Sequence, residues 1–404
     1  MNRTSSGILA LAVIACPTAA RAQDTTAVDT SYVEYSDSPI SLPLGVGLRI
    51  PTYDRVNGVT LPWGPKIETS NGRIDLDALV RYRSNLGKWD PSIEGLLRPG
   101  DANELNLFVG RGTFSNEDWI RSDLANSVAV LLAGSDARNF YRSDKASARL
   151  ARAIVSGGSV FTPYAGLNYE RDWSTGSLVP TKSPWSFYGR RGRLRMRRPN
   201  PPIDRGHIFS FLVGTGAELA TGGVDSKLDV KLERSIATQY DGDCVFDGFG
   251  VVCTSPRDAF TQATLDGTVK FPTFGSQTFT FRGHGVWTPG GVIAPAQRFA
   301  YLGGSGTIAT VDQLALGGDH LLYVNGDYVI PFEKIQLPYV GNPFLALSYT
   351  AGSAGIGQLP SLIQNLGVGI GASILRVDYF IDPASNRSPV SHKSAVTFGA
   401  DLSF

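Results

Sequence analysis

His207, His284, His320 and His392 are the only side chains in this sequence whose ordinary pKa suits proton transfer near neutral pH, and they are widely spaced. None sits in an H-E-x-x-H or G-x-S-x-G context. Gly303-Gly304-Ser305-Gly306 surrounds a serine with glycines but lacks the order of a hydrolase elbow. Its glycines read better as letting a loop turn sharply in a crowded space. Asp75 and Asp77 share a strand face without a nameable acid–base partner, and Arg376 and Asp378 are spaced to form an ion pair. Cys244 and Cys253 lie in a polar, glycine-bearing stretch and read as a local disulfide if the chain is exported; with no histidines nearby they do not suggest a metal site. No enzyme activity, cofactor or metal is expected. The densest chemistry is cationic: in YGRRGRLRMRR (188–198), Arg191, Arg193, Arg195 and Arg197 would share one strand face. Two readings stand, a stripe for anionic groups such as lipid phosphates and a solvated basic loop ahead of Pro199. A net charge of +1 argues against a general nucleic-acid binder.

The elements that would position these residues are strands. Residues 394–404 read SAVTFGADLSF, with Val396, Phe398, Ala400, Leu402 and Phe404 on one face and Thr397, Gly399, Asp401 and Ser403 on the other. In 73–84, Ile74, Leu76, Ala78, Val80 and Tyr82 oppose Asp75, Asp77, Arg81 and Arg83. Residues 103–114 alternate similarly. The N-terminus has Arg3, an apolar run over 8–15 and Ala20-Arg21-Ala22, the order of a secretory signal covering 1–22. A lipoprotein site at Val13-Ile14-Ala15-Cys16 competes with it, though Pro17 fits that reading poorly. Residues 23–40 are expected to be a flexible segment and 41–404 one folded unit. No run reaches the 18 apolar residues of a membrane helix. With 46 Gly, 20 Phe, 15 Tyr and 6 Trp and a mean hydropathy of −0.04, the composition suits strands with one lipid face and one wet face.

The expected fold class is therefore all-β, an antiparallel transmembrane β-barrel. Within it, 116–137 breaks the alternation. Leu124, Val128, Leu131 and Leu132 follow helical spacing after Ser122 or Asp123, so a short helix is expected outside the wall or in a loop. Tyr169 and Trp173 could mark an interfacial belt. Fourteen strand-like segments can be counted. Splitting 366–381 at Ala372-Ser373, and counting either 42–50 or 188–198, gives sixteen, with fourteen or twelve as alternatives.

Arg298 to Phe332, RFAYLGGSGTIATVDQLALGGDHLLYVNGDYVIPF, resembles the BamA/surface antigen D15 (Omp85) superfamily of bacterial outer-membrane barrels. So do GVGIGASILRVD at 367–378, Tyr53-Asp54-Arg55-Val56-Asn57-Gly58, and the terminal Phe404, which resembles a C-terminal assembly signal. The resemblance implies that a loop opening with Arg298, Phe299, Gly303, Gly304 and Gly306 folds back into the lumen. It also implies an odd number of strands after that loop, which the sixteen-strand count meets with eleven before it and five after.

Two features depart from the family pattern. Ala309-Thr310 stands where an Arg-Gly dipeptide is usual, and only about thirty residues separate the signal from the first strand, too few for a periplasmic repeat domain. Three functions follow as expectations: translocation or insertion of protein or lipid at the outer membrane, a pore plugged by the internal loop, or a structural surface protein. The expected partners are outer-membrane lipids including lipopolysaccharide, the barrel assembly machinery and a separately encoded periplasmic protein.

Overall fold

A strand with one apolar and one polar face must find a home for both, and the way these faces are distributed decides the architecture. The computed structural model describes residues 40–175, 185–240, 245–246, 251–252, 259–335, 341–373, 375–384 and 389–400. Residues 1–39, Cys244, Cys253 and Phe404 lie outside the described residues.

Among the described residues sixteen wall strands follow in chain order, each paired antiparallel with the next. The first, β1, is interrupted: Ile40–Ser41 and Thr52–Asp54 both run along β2, and Leu48 bridges to Trp63 between them. β2 itself breaks at Gly64-Pro65 into Gly58–Trp63 and Lys66–Glu68, both pairing with β3, Ile74–Arg83. Then come β4 (Lys88–Gly100), β5 (Asn103–Phe114), β6 (Tyr141–Arg152 with Ile154–Ser156) and β7 (Ser159–Trp173). β8 (Gly206–Thr221), β9 (Val224–Tyr240), β10 (Thr261–Pro272) and β11 (Thr278–Trp287) complete the part before the long loop. β12 (His320–Pro331), β13 (Pro343–Gly355), β14 (Ile363–Ala372), β15 (Leu375–Ile381) and β16 (Ser394–Ala400) follow it. The loop thus falls after eleven strands and before five.

The strand inventory differs from the sequence reading in three places, the first being 42–50, which holds a 3-10 turn at Pro43–Gly45 and a single bridge at Leu48 instead of a strand. Residues 188–198 do not form a strand, because β7 and β8 pair directly along their lengths and leave 174–205 as a connection. Gly189–Arg195 is instead a short helix, α2. Arg191, Arg193, Arg195 and Arg197 therefore do not form a strand-face stripe, since a helix does not keep residues two apart on one side. The place in the count is filled by β4, whose Pro91, Gly95 and Pro99 look like turn residues in sequence.

The faces are inverted relative to a soluble protein. On β14, Leu366, Val368 and Ile370 are 47%, 49% and 64% exposed while Asn365 is completely buried. On β7, Leu167 and Tyr169 are exposed while Asn168, Glu170 and Asp172 are buried, and on β16 Val396 and Phe398 are exposed. Apolar side chains outside and charges inside place lipid around the barrel and a polar lumen within it. Among the described residues no helix is long and apolar enough to cross a membrane. The strands do the crossing. Connections at one end are long (115–140, 174–205, 288–319), whereas those at the other are as short as 101–102 and 222–223.

The expected helix in 116–137 is α1, Asp123–Ala133. The Ser122 hydroxyl caps it by accepting from the N–H of Ala125, and Gly134 ends it at φ 65°. Gly134 also lies where a Cβ would come within 2.4 Å of the Gly192 Cα, so the two long connections 115–140 and 174–205 meet backbone to backbone. Helix α1 packs against both β1 and β16.

Candidate functional site

The long loop 288–319 leaves β11, turns inward and returns to β12. Its two arms pair as a small ribbon, Ala300–Leu302 with Leu316–Gly318. Leu302, Ile308 and Val311 bury with Val286, Leu321 and Tyr323 of the wall, and this apolar cluster gives the loop its own core inside the barrel. At the tip the chain reverses through Gly303, Gly304 and Gly306, all at positive φ. Gly303, at φ 125°, has the Asp312 carbonyl oxygen 2.1 Å from where a Cβ would sit, so only glycine fits.

At the base of the loop, Arg298 is 8% exposed and reaches two strands at once. Its Nη1 lies 2.7 Å from Glu170 Oε2 on β7. Nη2 and Nε donate to the two carboxylate oxygens of Glu233 on β9, at 2.9 and 3.0 Å. Lys145 of β6 adds a contact of 2.5 Å to Glu170. Burial opposes the Arg298 charge, but Glu170 and Glu233 outweigh it and hold the guanidinium pKa well above its ordinary value. Gln262 of β10 donates to the Arg298 carbonyl oxygen at 3.2 Å, fixing the backbone as well. Phe299 is buried beside this clamp, where Asn116 donates to its carbonyl oxygen at 2.9 Å.

The far arm is held by neutral groups. Asn365 of β14 donates to Thr310 Oγ1 at 2.7 Å and accepts from the Thr310 N–H at 3.1 Å. Ala309, next to it, is the residue set against the arginine of the family pattern; at this arm the loop is held by an amide–hydroxyl pair, and the loop's buried charged anchor is Arg298 at its base. The loop also pairs with the chain entering β16: Val311 bridges Ser391, the His392 N–H donates to the Thr310 carbonyl at 2.6 Å, and the Asp312 N–H donates to Val390 O at 3.0 Å. Arg121, below α1, donates to the Ser305 carbonyl and hydroxyl at 2.9 and 2.8 Å. One loop therefore ties the β7–β9 wall to β14 and to the approach of β16.

Around this plug the lumen is charged and internally paired. Asp90 holds both Arg83 and Arg142. Arg376 pairs with Asp378 at 2.7 Å on its own strand and with Asp327 of β12 at 2.7 and 2.8 Å, so those two expected lumen charges do meet. Asp75 contacts Lys66 and Asp77 contacts Arg49, which gives both carboxylates structural partners. A lumen cavity of about 900 Å³ remains, lined by Lys66, Asp75, Glu94, Lys145 and Asp266 and bordered by Arg298. At the mouth, Glu117 is fully buried and accepts from the Asn139 N–H at 2.9 Å and the Ser115 hydroxyl at 2.7 Å. Burial pushes its pKa up to about 7.

The edges of the sheet complete the site. Among the described residues, β16 has a strand partner only in β15, and Thr52–Asp54 has one only in β2. The Tyr53 N–H, which would otherwise point along the seam, donates to the Ser127 hydroxyl of α1 at 2.9 Å.

The fold has counterparts among solved structures. The crystal structure of BamA from Haemophilus ducreyi lacking POTRA domains 1-3 matches 86% of this chain and 68% of its own, with a TM-score of 0.53 at 11% identity. The chain has the fold of the BamA barrel. CdiB from Escherichia coli (TM-score 0.49, 12% identity) and from Acinetobacter baumannii (0.48, 13%) each match 87% of the chain, which spans 60% and 58% of those two proteins. No protein-family model matches the sequence, and no curated protein does. At these identities the BamA likeness is one of fold. The sequence reading found the loop and its glycines but not Glu170, Glu233 or Asn365, which lie 128, 65 and 55 positions from the loop residues they hold. The available signal was that each is a strand residue on the inward face.

Proposed function

We propose that this protein is a bacterial outer-membrane barrel that moves polypeptide into or across the membrane at its β1–β16 seam. The observation that carries this reading is the one-sided pairing of β16 beside a loop that grips its lead-in. An edge strand offers a row of backbone donors and acceptors to an incoming strand. Because Thr310, Val311 and Asp312 hold 390–392, displacing β16 would pull on the loop tip, while the Arg298 clamp keeps the loop base on β7 and β9. The signal-like N-terminal sequence, the apolar-outside barrel and the BamA-like fold support the location. In this reading the partners are outer-membrane lipids including lipopolysaccharide, an unfolded polypeptide client, the assembly machinery that inserts the barrel itself, and a periplasmic protein encoded elsewhere.

The lumen cavity favours a second reading, a pore plugged by the loop. One experiment separates the two. The mature chain is placed in liposomes and offered an unfolded eight-stranded outer-membrane barrel, with Thr310→Cys/Asn365→Cys as an oxidisable lock on the loop. Faster client insertion that is lost on oxidation and restored by reduction supports the seam mechanism. No acceleration, together with steady conductance once 298–318 are deleted, overturns it in favour of the pore.

A further inference from the structure

The outer wall carries a feature that neither the seam nor the lumen uses. Facing lipid at the long-loop ends of β5 to β9, one transverse row of cross-strand neighbours reads Arg111, Asp144, Arg171, His207 and Gln239. Arg111 is half exposed and pairs with Asp144 through two contacts of 2.5 and 2.8 Å, with the Trp173 ring 5.5 Å from its guanidinium. Arg171 is exposed and, among the described residues, makes no hydrogen bond or ion pair. His207 is held at Nδ1 by the Tyr169 hydroxyl at 2.7 Å. The next row toward the short turns is Val109, Ala146, Tyr169, Phe209 and Ala237, so the charges sit directly above apolar wall. At the corresponding ends of β4, β11 and β15 the outward residues are Trp89, Trp287 and Ile381, which confines the basic row to this sector.

Beside the row, continuing it onto β2–β4 and reaching one step toward the short turns, lies an outward groove of about 710 Å³, lined by Trp63, Pro65, Val80, Ile93, Val109 and Tyr169 and bordered by Arg111 and Asp144. Its floor is shallow because Ala78, Pro91 and Ala146 stand between the larger side chains. From Phe161 to Tyr169 the outward face of β7 covers eight residue steps, roughly 27 Å along the strand, and a tilt of about 40° brings that near the height of a lipid band. Arg171 therefore stands one step above the hydrocarbon, at headgroup depth.

Two guanidiniums at that depth flank one carboxylate: Asp144 is bonded to Arg111 and is the cross-strand neighbour of Arg171. This leaves the trio with a net positive charge and Arg171 with its N–H donors unused among the described residues, an arrangement that suits a phosphate oxygen, which Arg binds with paired N–H donors. An apolar groove beside it suits acyl chains. We propose that this sector is a binding site for a phosphorylated, acylated glycolipid of the outer leaflet, with its phosphate on Arg171 and Arg111 and a chain in the Trp63–Tyr169 groove. The inference rests on the barrel lying in the outer membrane with its long loops outward, and not on what crosses the seam.

The test is native mass spectrometry of the detergent-purified full chain titrated with diphosphoryl lipid A, with the dephosphorylated lipid and with phosphatidylcholine. Wild type should retain diphosphoryl lipid A in preference to both. Arg171→Gln, which strands no partner, should weaken that binding about tenfold, while Arg98→Gln at the opposite end should leave it unchanged. Heat-modifiable gel mobility scores barrel folding separately. A folded Arg171→Gln variant that binds as wild type does, or a wild type that holds the dephosphorylated lipid equally well, overturns the site and leaves the barrel's location untouched.

Discussion

Replacing Arg298 with methionine removes the charge that holds the plug base while keeping much of the side chain's volume. The cost falls unevenly on its two partners. Glu170 keeps Lys145 at 2.5 Å and Asn168 at 2.9 Å, so it stays compensated. Glu233 has Arg298 as its hydrogen-bonding partner and is 4% exposed, so it is left as a buried carboxylate without a donor. Removing one member of a buried pair costs about 3–5 kcal/mol. That cost is relieved when the loop lifts and water reaches Glu233, so the loop's closed state should lose most of it. Converted at about 1.4 kcal/mol per factor of ten, loop opening rises roughly 10²- to 10³-fold. Hydrogen exchange reads this directly at the amides of Gly303, Val311 and Leu314, which are bonded within the loop. Arg298→Met/Glu233→Gln should recover a large part of the protection, since the stranded charge is gone. Unchanged exchange at these amides in Arg298→Met would refute the view that the clamp holds the plug.

Three further outcomes are expected. The Glu117 pKa rises from an ordinary 4.5 to about 7 in the folded chain, so the folded state holds a proton that the unfolded state has released between those values. Stability should therefore fall as pH rises from about 4.5 to 7, and Glu117→Gln, which can still accept from Asn139 and Ser115, should flatten that slope in urea titrations in detergent. Asn365→Leu strands the Thr310 N–H and hydroxyl and should cost about 1–3 kcal/mol of loop stability, seen as faster cleavage by added protease within 305–315 and not elsewhere. Gly303→Ala, with its Cβ driven toward the Asp312 carbonyl, should give a barrel that still shows heat-modifiable mobility but loses amide protection across the loop tip.

Strand alternation made the wall readable because a lipid face and a wet face leave opposite composition on alternate residues, as Val396 and Phe398 against Thr397 show. β4 escaped because Pro91 and Gly95 fall on its outward face, where neither needs to pack a core, yet both look like breakers. The arginine run misled for the converse reason: Arg, Gly and Leu alternate in 188–198, but no neighbouring strand has an edge free for them once β7 and β8 pair. The loop was legible through its glycines, whose role is local. Its anchors were not, because Glu170 and Glu233 come together only through the register of three adjacent strands.

The loop's two ends of attachment also set an order of maturation. Every wall partner of Arg298 precedes it in the chain, whereas Asn365 and 390–392, which seat the tip, come after it. A chain acquired by the membrane from its N-terminal strands could dock the loop base and the Arg121–Ser305 contact early, but Thr310 to Asp312 have no wall partner until Asn365 and 390–392 arrive. Seating the plug is then the last act of building the barrel, and a truncation before β14 should leave a wall whose interior is still open.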